Sequence, residues 1–156
     1  MGTKRTAPRE ATNADADGIR ELITTCLSEY GLETDPQGIE DLEDIEGGYF
    51  ERGGTFWVID EADGKIVGSA GLYPIDAETC ELRKMYLSPD RRGQKLGIRL
   101  LVELIGEARS LGYRTVRLET ASAMTKAIAL YRRYGFRPTE EIPRGERSDQ
   151  AWVLDL

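Results

Sequence analysis

Residues 88–101, SPDRRGQKLGIRLL, concentrate groups that bind anions: three cations and two glycines precede an apolar, helix-forming segment. The first turn of a helix presents unpaired backbone N–H groups and the positive end of the helix dipole, which together attract anions. Glycine lacks a Cβ, so the backbone can approach a bulky polyanion. The stretch predicts a phosphate site, although a solvated basic helix start would give the same pattern. The cations are Arg91, Arg92 and Lys95, and the glycines are Gly93 and Gly97.

The spacing of these glycines excludes two common phosphate motifs. It is neither the G-x-x-x-x-G-K-[ST] of P-loop proteins nor the G-x-G-x-x-G of dinucleotide-binding folds. The chain also contains no histidine. Histidine-dependent triads and HExxH zinc sites are therefore excluded, and no metal site is predicted. Acid–base chemistry must come from Glu, Asp, Tyr, Lys or Cys side chains.

The elements around this stretch predict an α/β fold with a mixed sheet and helices on both faces. Residues 55–75 read as two strands around an Ala-Asp-Gly-Lys turn, and residues 80–87 continue them as an antiparallel meander. Ile98, Leu101, Val102, Ile105 and Ala108 recur at helical spacing, which predicts a helix ending near Leu111. The other predicted elements are strands at 8–12, 115–120, 136–142 and 151–156, helices at 13–30, 34–45 and 124–134, and a break at 47–54.

Length and charge narrow the class of protein. The chain has 156 residues, which suits one domain over residues 1–156. Its net charge of −7 argues against nucleic acid as a partner. No apolar run approaches the roughly 20 residues that span a bilayer, so no membrane partner is expected. The polar N-terminus lacks a signal-peptide apolar region, and the two cysteines form no CxxC. A reducing cytoplasmic location with partly buried thiols is expected.

Two segments resemble the GNAT N-acetyltransferases. Residues 92–97, RGQKLG, are similar to the family's acetyl-CoA-binding pattern Q/R-x-x-G-x-G/A, with Lys95 replacing the central glycine. Residues 127–136, AIALYRRYGF, match the pattern A-x-x-L-Y-x-x-x-G-F, with Met124 where asparagine is common. The predicted elements extend the resemblance to nearly the whole chain. It implies the GNAT acyl-CoA N-acyltransferase fold, whose sheet splays apart beside the strand at 80–87.

The resemblance implies direct transfer of an acetyl group from acetyl-CoA (coenzyme A) to a primary amine. The strand at 80–87 would line the pantetheine arm, and a backbone N–H near Met85 or Leu87 would polarise the thioester carbonyl. The backbone of residues 93–98 would hold the pyrophosphate. The implied cofactor-binding residues are Met85, Tyr86, Leu87, Arg92, Gly93, Gln94, Lys95, Leu96, Gly97 and Ile98.

The resemblance also implies three catalytic residues. Tyr131 matches the tyrosine that protonates the leaving thiolate, although the helical spacing equally suits a core tyrosine. Glu81 and Glu119 match two positions that the family uses for the base that deprotonates the amine. Glu119 alternates with Arg117 on what could be a plain solvent face, and Glu81 shares the alternation of Arg83, Met85 and Leu87. Orientation of the reactants alone could leave neither glutamate essential.

The resemblance implies a small-molecule or peptide amine as the acceptor and does not decide which one. By resemblance, residues 28–35 and 140–150 form its pocket. Acidic side chains there would attract a cation, whereas Arg144 and Arg147 would hold a carboxylate. A solvated acidic loop would look the same. The acidic candidates are Glu29, Glu33, Asp35, Glu140 and Glu141.

Two other functions fit part of the pattern. A non-catalytic CoA-binding sensor or subunit with the GNAT fold would explain the departures at Lys95 and Met124. A phosphate- or nucleotide-binding protein would need only the helix-start anion site. A homodimer paired through the C-terminal strand is compatible with the sequence.

Overall fold

The computed structural model describes residues 7–34, 37–144 and 148–156. Within these ranges, seven strands form one sheet in the order β1-β2-β3-β4-β5-β7-β6. The strands are β1 (Arg9–Glu10), β2 (Thr55–Asp60), β3 (Ile66–Pro74), β4 (Thr79–Leu87), β5 (Thr115–Thr120), β6 (Arg137–Thr139) and β7 (Gln150–Asp155). Neighbouring strands are antiparallel except β4 and β5, which are parallel. The predicted mixed sheet with an antiparallel N-terminal meander is confirmed.

Helices cover both faces of this sheet: α1 (Ala16–Ser28), α2 (Leu96–Ser110) and α3 (Thr125–Arg133). Successive strand residues point to opposite faces. Thus Val58 packs in the core under α1, and Ile59 packs in the core under α2 and α3. The predicted stripe on α2 is wrong at Val102, which is 48% exposed, because Leu100 and Leu104 occupy the buried positions. Within the described ranges, no helix has the length and hydropathy that crossing a membrane requires.

The predicted helix at 34–45 is wrong. A 3₁₀ segment at Gln37–Leu42 and a π-helical turn at Glu46–Phe50 take its place, so the predicted break at 47–54 is also wrong in its first half. Asp44 Oδ1 accepts the N–H of Gly47 at 2.9 Å, and such local bonds compete with a regular helix. The predicted helix start at Asp35 and Pro36 lies outside the described residues.

Strand β4 contains a bulge that the sequence pattern does not reveal. Ser69 of β3 pairs with Tyr86 and Gly71 pairs with Arg83, so two β4 residues oppose Ala70 alone. Lys84, one of the two, adopts a left-handed conformation with φ of +57°. The buried Ser69 hydroxyl donates to the Lys84 carbonyl at 2.6 Å and fastens the bulge.

The parallel pairing of β4 with β5 ends early. It runs from Thr79 opposite Thr115 to Leu82 opposite Leu118. Beyond that point β4 pairs with β3, and β5 pairs with β7. The two central strands therefore separate, as the resemblance implied, and leave a cleft between them.

Both cysteines are free and buried, more deeply than expected. Cys26 lies on the buried face of α1, and Cys80 lies in the core beneath α2. Burial raises the pKa of Cys80 to about 12. The Cys80 thiol is thus protonated at neutral pH and unreactive.

Removing the hydroxyl that fastens the bulge is expected to destabilise the protein. Ser69→Ala leaves the Lys84 carbonyl without its side-chain donor, at a cost of about 1–3 kcal/mol of unfolding free energy. Chemical denaturation with urea measures this change. Ser28→Ala is the matched control, since the Ser28 hydroxyl also donates to a backbone carbonyl, that of Thr25, but at an exposed site. Equal effects in the two variants would contradict the role given to Ser69.

Candidate active site

A cleft of about 740 Å³ opens where β4 and β5 separate. Its walls come from β4, the end of β5, α1 and the 3₁₀ segment, together with Met124, which precedes α3, and Tyr131 near the end of α3. All three predicted catalytic residues line it, as do two of the predicted cofactor contacts. The catalytic residues are Glu81, Glu119 and Tyr131, and the cofactor contacts are Met85 and Tyr86.

The N-terminus of α2 carries a run of free backbone donors. Among the described residues, no acceptor lies in hydrogen-bond range of the N–H groups of residues 93–98, and the ladder begins with Arg99 N–H to Lys95 at 3.0 Å. Gly93 has φ of +82° and Lys95 has φ of +61°. Left-handed residues in such a turn help to aim successive N–H groups at one point. This cradle of donors fits a diphosphate such as that of CoA.

The two arginines of the same loop are already paired with carboxylates. Arg92 donates to both oxygens of Glu29, at 2.7 and 2.6 Å, and to the Leu87 carbonyl at 3.1 Å. The Arg92 guanidinium lowers the pKa of Glu29. Arg91 donates to Glu61 at 3.1 Å. Lys95 is exposed and makes no ion pair with the described residues.

The bulge divides β4 between the two faces of the sheet. Glu81 and Arg83 face the α1 side, whereas Met85 packs in the core with α2. The expectation that Glu81 shares one face with Met85 and Leu87 is therefore wrong, because the extra residue at Lys84 reverses the alternation. Leu87 instead approaches Gly97, where its Cδ2 would lie 3.7 Å from an added Cβ.

A charge cluster, buried at Glu81 and Arg117 and partly exposed at Arg83, links β4 and β5 where they part. It consists of Glu81, Arg83, Arg117 and Glu119, in which anions and cations alternate. Arg117 donates to Glu81 Oε2 and, at 3.0 Å, to Glu119 Oε2. Arg83 Nε donates to Glu81 Oε1 at 2.6 Å. Glu119 is not on a plain solvent face, since its side chain is only 11% exposed.

Tyr131 reaches the cleft from α3. Its ring lies 5.7 Å from that of Phe136, and the residue is 7% exposed. Burial raises the pKa of Tyr131 above its ordinary value, and the nearby Tyr86 adds to the effect. The phenol therefore stays protonated through the neutral range. A protonated hydroxyl beside a cleft can act as a proton donor.

Two of the five acidic acceptor candidates are already paired with arginines. Glu29 pairs with Arg92, and Glu141 lies 3.4 Å from Arg117. Arg144 lines the cleft, and its N–H donates to Glu119 at 2.9 Å. Asp35 and Arg147 lie outside the described residues.

Sequence reasoning missed Arg83, which also lines the cleft. Its spacing of two from Glu81 was the available signal, since both side chains belong on one face of a strand.

The mixed sheet with its separated central strands is the acyl-CoA N-acyltransferase fold, and comparisons with known proteins give the family. The model of the Acetyltransferase (GNAT) family matches residues 16–136, more than half of the chain. An uncharacterized N-acetyltransferase of Escherichia coli K12, YjgM, is 34% identical over 134 residues, which cover 82% of this chain and 80% of the relative. An uncharacterized N-acetyltransferase of Schizosaccharomyces pombe is 30% identical and covers 81% and 78%, respectively.

A solved structure agrees in fold. A GNAT-family acetyltransferase of Staphylococcus aureus Mu50 has a TM-score of 0.91 and 24% identity, covering 97% of this chain and 99% of that one. The chain belongs to the GNAT acetyltransferase family. It is an acetyltransferase that uses acetyl-CoA as its acetyl donor.

The left-handed turn before α2 gives a test of Lys95. A residue with a Cβ loses about 1–2 kcal/mol in this conformation, and glycine does not. Lys95→Gly is therefore expected to raise the unfolding free energy by about 1 kcal/mol after the greater flexibility of unfolded glycine is deducted. Lys95→Ala, which keeps the Cβ but removes the charge, should not stabilise the protein. Thermal unfolding of the two variants measures the difference, and equal melting temperatures would refute the strain at Lys95.

Proposed function

We propose that this protein transfers the acetyl group of acetyl-CoA directly to a primary amine of a small molecule or peptide. The observation that carries the proposal is the cleft between β4 and β5, which Tyr131, Glu81 and Glu119 line together. Family membership supports acetyl transfer. The nature of the acceptor is the proposed part.

The cofactor contacts are proposed on two grounds. The N–H groups of residues 93–98 and the dipole of α2 suit a diphosphate. Met85 and Tyr86 line the cleft and Leu87 follows them, so this end of β4 would hold the pantetheine arm. Acetyl-CoA, when bound, supplies an acetyl group activated as a thioester. A backbone N–H near Met85 or Leu87 would stabilise charge on its carbonyl oxygen.

The side chains of the cleft supply the two proton transfers. An ammonium has no lone pair, so a carboxylate must accept its proton before attack. Glu81 and Glu119 are both proposed for this role, directly or through water, and their hydrogen bonds to Arg117 hold them in place. Tyr131 is proposed to protonate the departing sulfur, since burial keeps its phenol protonated. Such general acid–base steps contribute about 10²–10⁴ in rate.

The proposal also covers the domain organisation, the location and the oligomeric state. Residues 1–156 are proposed to act as one GNAT domain, in the cytoplasm. A homodimer is compatible with the proposal and is not required for the cleft. The expected pairing through the C-terminal strand is wrong, because β5 and β6 occupy the two edges of β7.

Turnover with amines tests the proposal. The protein is mixed with acetyl-CoA and a panel of amino acids, polyamines, aminoglycosides and peptides, and release of free CoA thiol is followed. At least one amine should increase thiol release above the rate of hydrolysis in its absence. Calorimetry with CoA separates the alternatives. Binding of CoA without turnover of any amine would instead favour the non-catalytic sensor or subunit.

Loss of the Tyr131 hydroxyl is expected to slow chemistry rather than binding. Tyr131→Phe keeps the ring against Phe136 but removes the proton donor, so kcat should fall by about 10²–10⁴ while KM for acetyl-CoA changes little. Tyr134→Phe, one turn of chain further on, is the control and should keep its rate.

The pH profile gives a second readout of Tyr131. Because its folded-state pKa is raised, the phenol remains protonated and active as pH rises past the ordinary tyrosine value near 10. The wild-type kcat should therefore show no decline from loss of this proton as the pH rises through about 10. A Tyr131→Phe enzyme as fast as wild type would remove Tyr131 from the mechanism.

A further inference from the structure

We propose that the acceptor amine carries a carboxylate close to its amino group, as an α-amino acid does, and that Arg83 binds this carboxylate. The inference rests on the proposed function and adds a substrate class to it. It comes from the orientation of Arg83, from its terminal N–H donors and from its contact with Glu81.

The guanidinium of Arg83 is fixed at the wall of the cleft. Its Cζ lies 3.8 Å from the centre of the Tyr73 ring, and its Nε donates to Glu81 at 2.6 Å. The stacking and the hydrogen bond hold the plane of the group. The side chain is still 30% exposed and lines the cleft. Among the described residues, the hydrogen bond of its side chain is the one from Nε to Glu81, so the two terminal nitrogens keep their N–H donors for a ligand.

A fixed guanidinium with free terminal donors suits a carboxylate. The two Nη groups offer parallel N–H bonds that match the two carboxylate oxygens, and such bidentate pairs are stronger than neutral hydrogen bonds. An ammonium substrate would instead be repelled at this point.

The neighbouring carboxylates do not neutralise this cation fully. Glu81 is shared between Arg83 and Arg117. Asp41 accepts a hydrogen bond from the Tyr49 hydroxyl, and Lys84 Nζ lies 3.1 Å from its other oxygen. A second cation, Arg52, lies 5.0 Å from the same Tyr73 ring and donates to its hydroxyl. The described residues that line the cleft carry four carboxylates and three cations, so net charge does not attract an anion there. The attraction for an acceptor carboxylate is local and comes from the fork of Arg83.

The position of Arg83 also fits the chemistry. Arg83 is hydrogen-bonded to Glu81, one of the two carboxylates proposed to take the proton of the amine. A carboxylate bound to Arg83 brings an amine on the adjacent carbon close to Glu81. An acceptor with distant charges would not gain this arrangement. The geometry thus favours α-amino acids over polyamines.

The test compares each of the twenty L-amino acids with its carboxamide. The two members of a pair differ only in the carboxylate. The ammonium group of the carboxamide loses its proton more readily, so deprotonation alone would make the carboxamide the better substrate. A preference for the acid therefore cannot come from that difference. Thiol release from acetyl-CoA gives kcat/KM, and calorimetry on the CoA-loaded enzyme gives binding without turnover. For the preferred side chain, both kcat/KM and affinity should be about ten- to a hundredfold higher for the acid, as for loss of a charged hydrogen bond.

Variants assign the preference to a residue. Arg83→Gln should reduce the acid-to-amide ratio to about one, and Arg83→Lys should give an intermediate ratio because it keeps the charge but loses the fork. Arg52→Gln is the matched control. Arg52 is a cation at the same Tyr73 ring, but it is not among the residues that line the cleft, so this variant should keep the preference for the acid over the carboxamide. Affinity for CoA and the circular dichroism spectrum should stay unchanged in all three.

The outcomes separate this inference from the proposed function. Turnover of carboxamides or polyamines as fast as of acids would overturn the inference and leave N-acetyl transfer standing. Preferential binding of acids that depends on Arg83, without turnover of any amine, would support the inference and contradict the proposed function. Binding of neither series would overturn the inference, and a preference that survives Arg83→Gln would overturn the role of Arg83.

Discussion

The separation of β4 from β5 is the constraint on which the rest of the structure depends. A parallel pair of strands normally satisfies its backbone groups along the whole contact, yet this pair stops at Leu82 and Leu118. The bulge at Lys84 allows β4 to bend while it stays paired with β3, since a bulge increases local twist. The edge of β4 beyond Leu82 then faces the cleft. Its backbone polar groups need partners, and a linear ligand rich in amides, as the pantetheine arm of CoA is, would supply them.

The charge cluster explains how a polar cleft forms in the middle of a core. Glu81 and Arg117 sit opposite each other one residue before the pairing ends. Burying a single charge there would be costly, whereas alternating anions and cations satisfy one another. A buried ion pair adds little net stability, so we attribute a different role to this one. The hydrogen bonds of the cluster hold both glutamates and Arg83 in one orientation. A catalytic or binding group needs such an orientation, and apolar neighbours could not supply these hydrogen bonds.

The sequence predicted the strands and helices of the sheet but not the local breaks that make the site. The strand predicted at 115–120 has the bounds of β5, because the alternation of apolar and polar residues is a strong signal over such a length. The bulge was missed, since one left-handed lysine in a β-rich run leaves no trace in composition. The 3₁₀ and π-helical turns were missed because Leu42, Ile45 and Tyr49 keep a spacing that also suits an α-helix. The resemblance brought Glu81, Glu119 and Tyr131 together, but it could not reveal that Arg117 joins the glutamates, because that contact depends on the strand register.

This acidic protein can carry a basic loop because the arginines of that loop are paired within the protein. Arg91 and Arg92 face Glu61 and Glu29, so much of their charge is neutralised within the protein. The loop binds an anion mainly through free backbone N–H groups and the dipole of α2. The exposed Lys95 adds a side-chain charge. Backbone donors need no counter-charge, and they are fixed by the fold rather than by flexible side chains. Arg92 contributes by tying the loop to α1 through Glu29 and to the end of β4 through the Leu87 carbonyl. A net charge of −7 is therefore compatible with binding a diphosphate, because the attraction is local and directed.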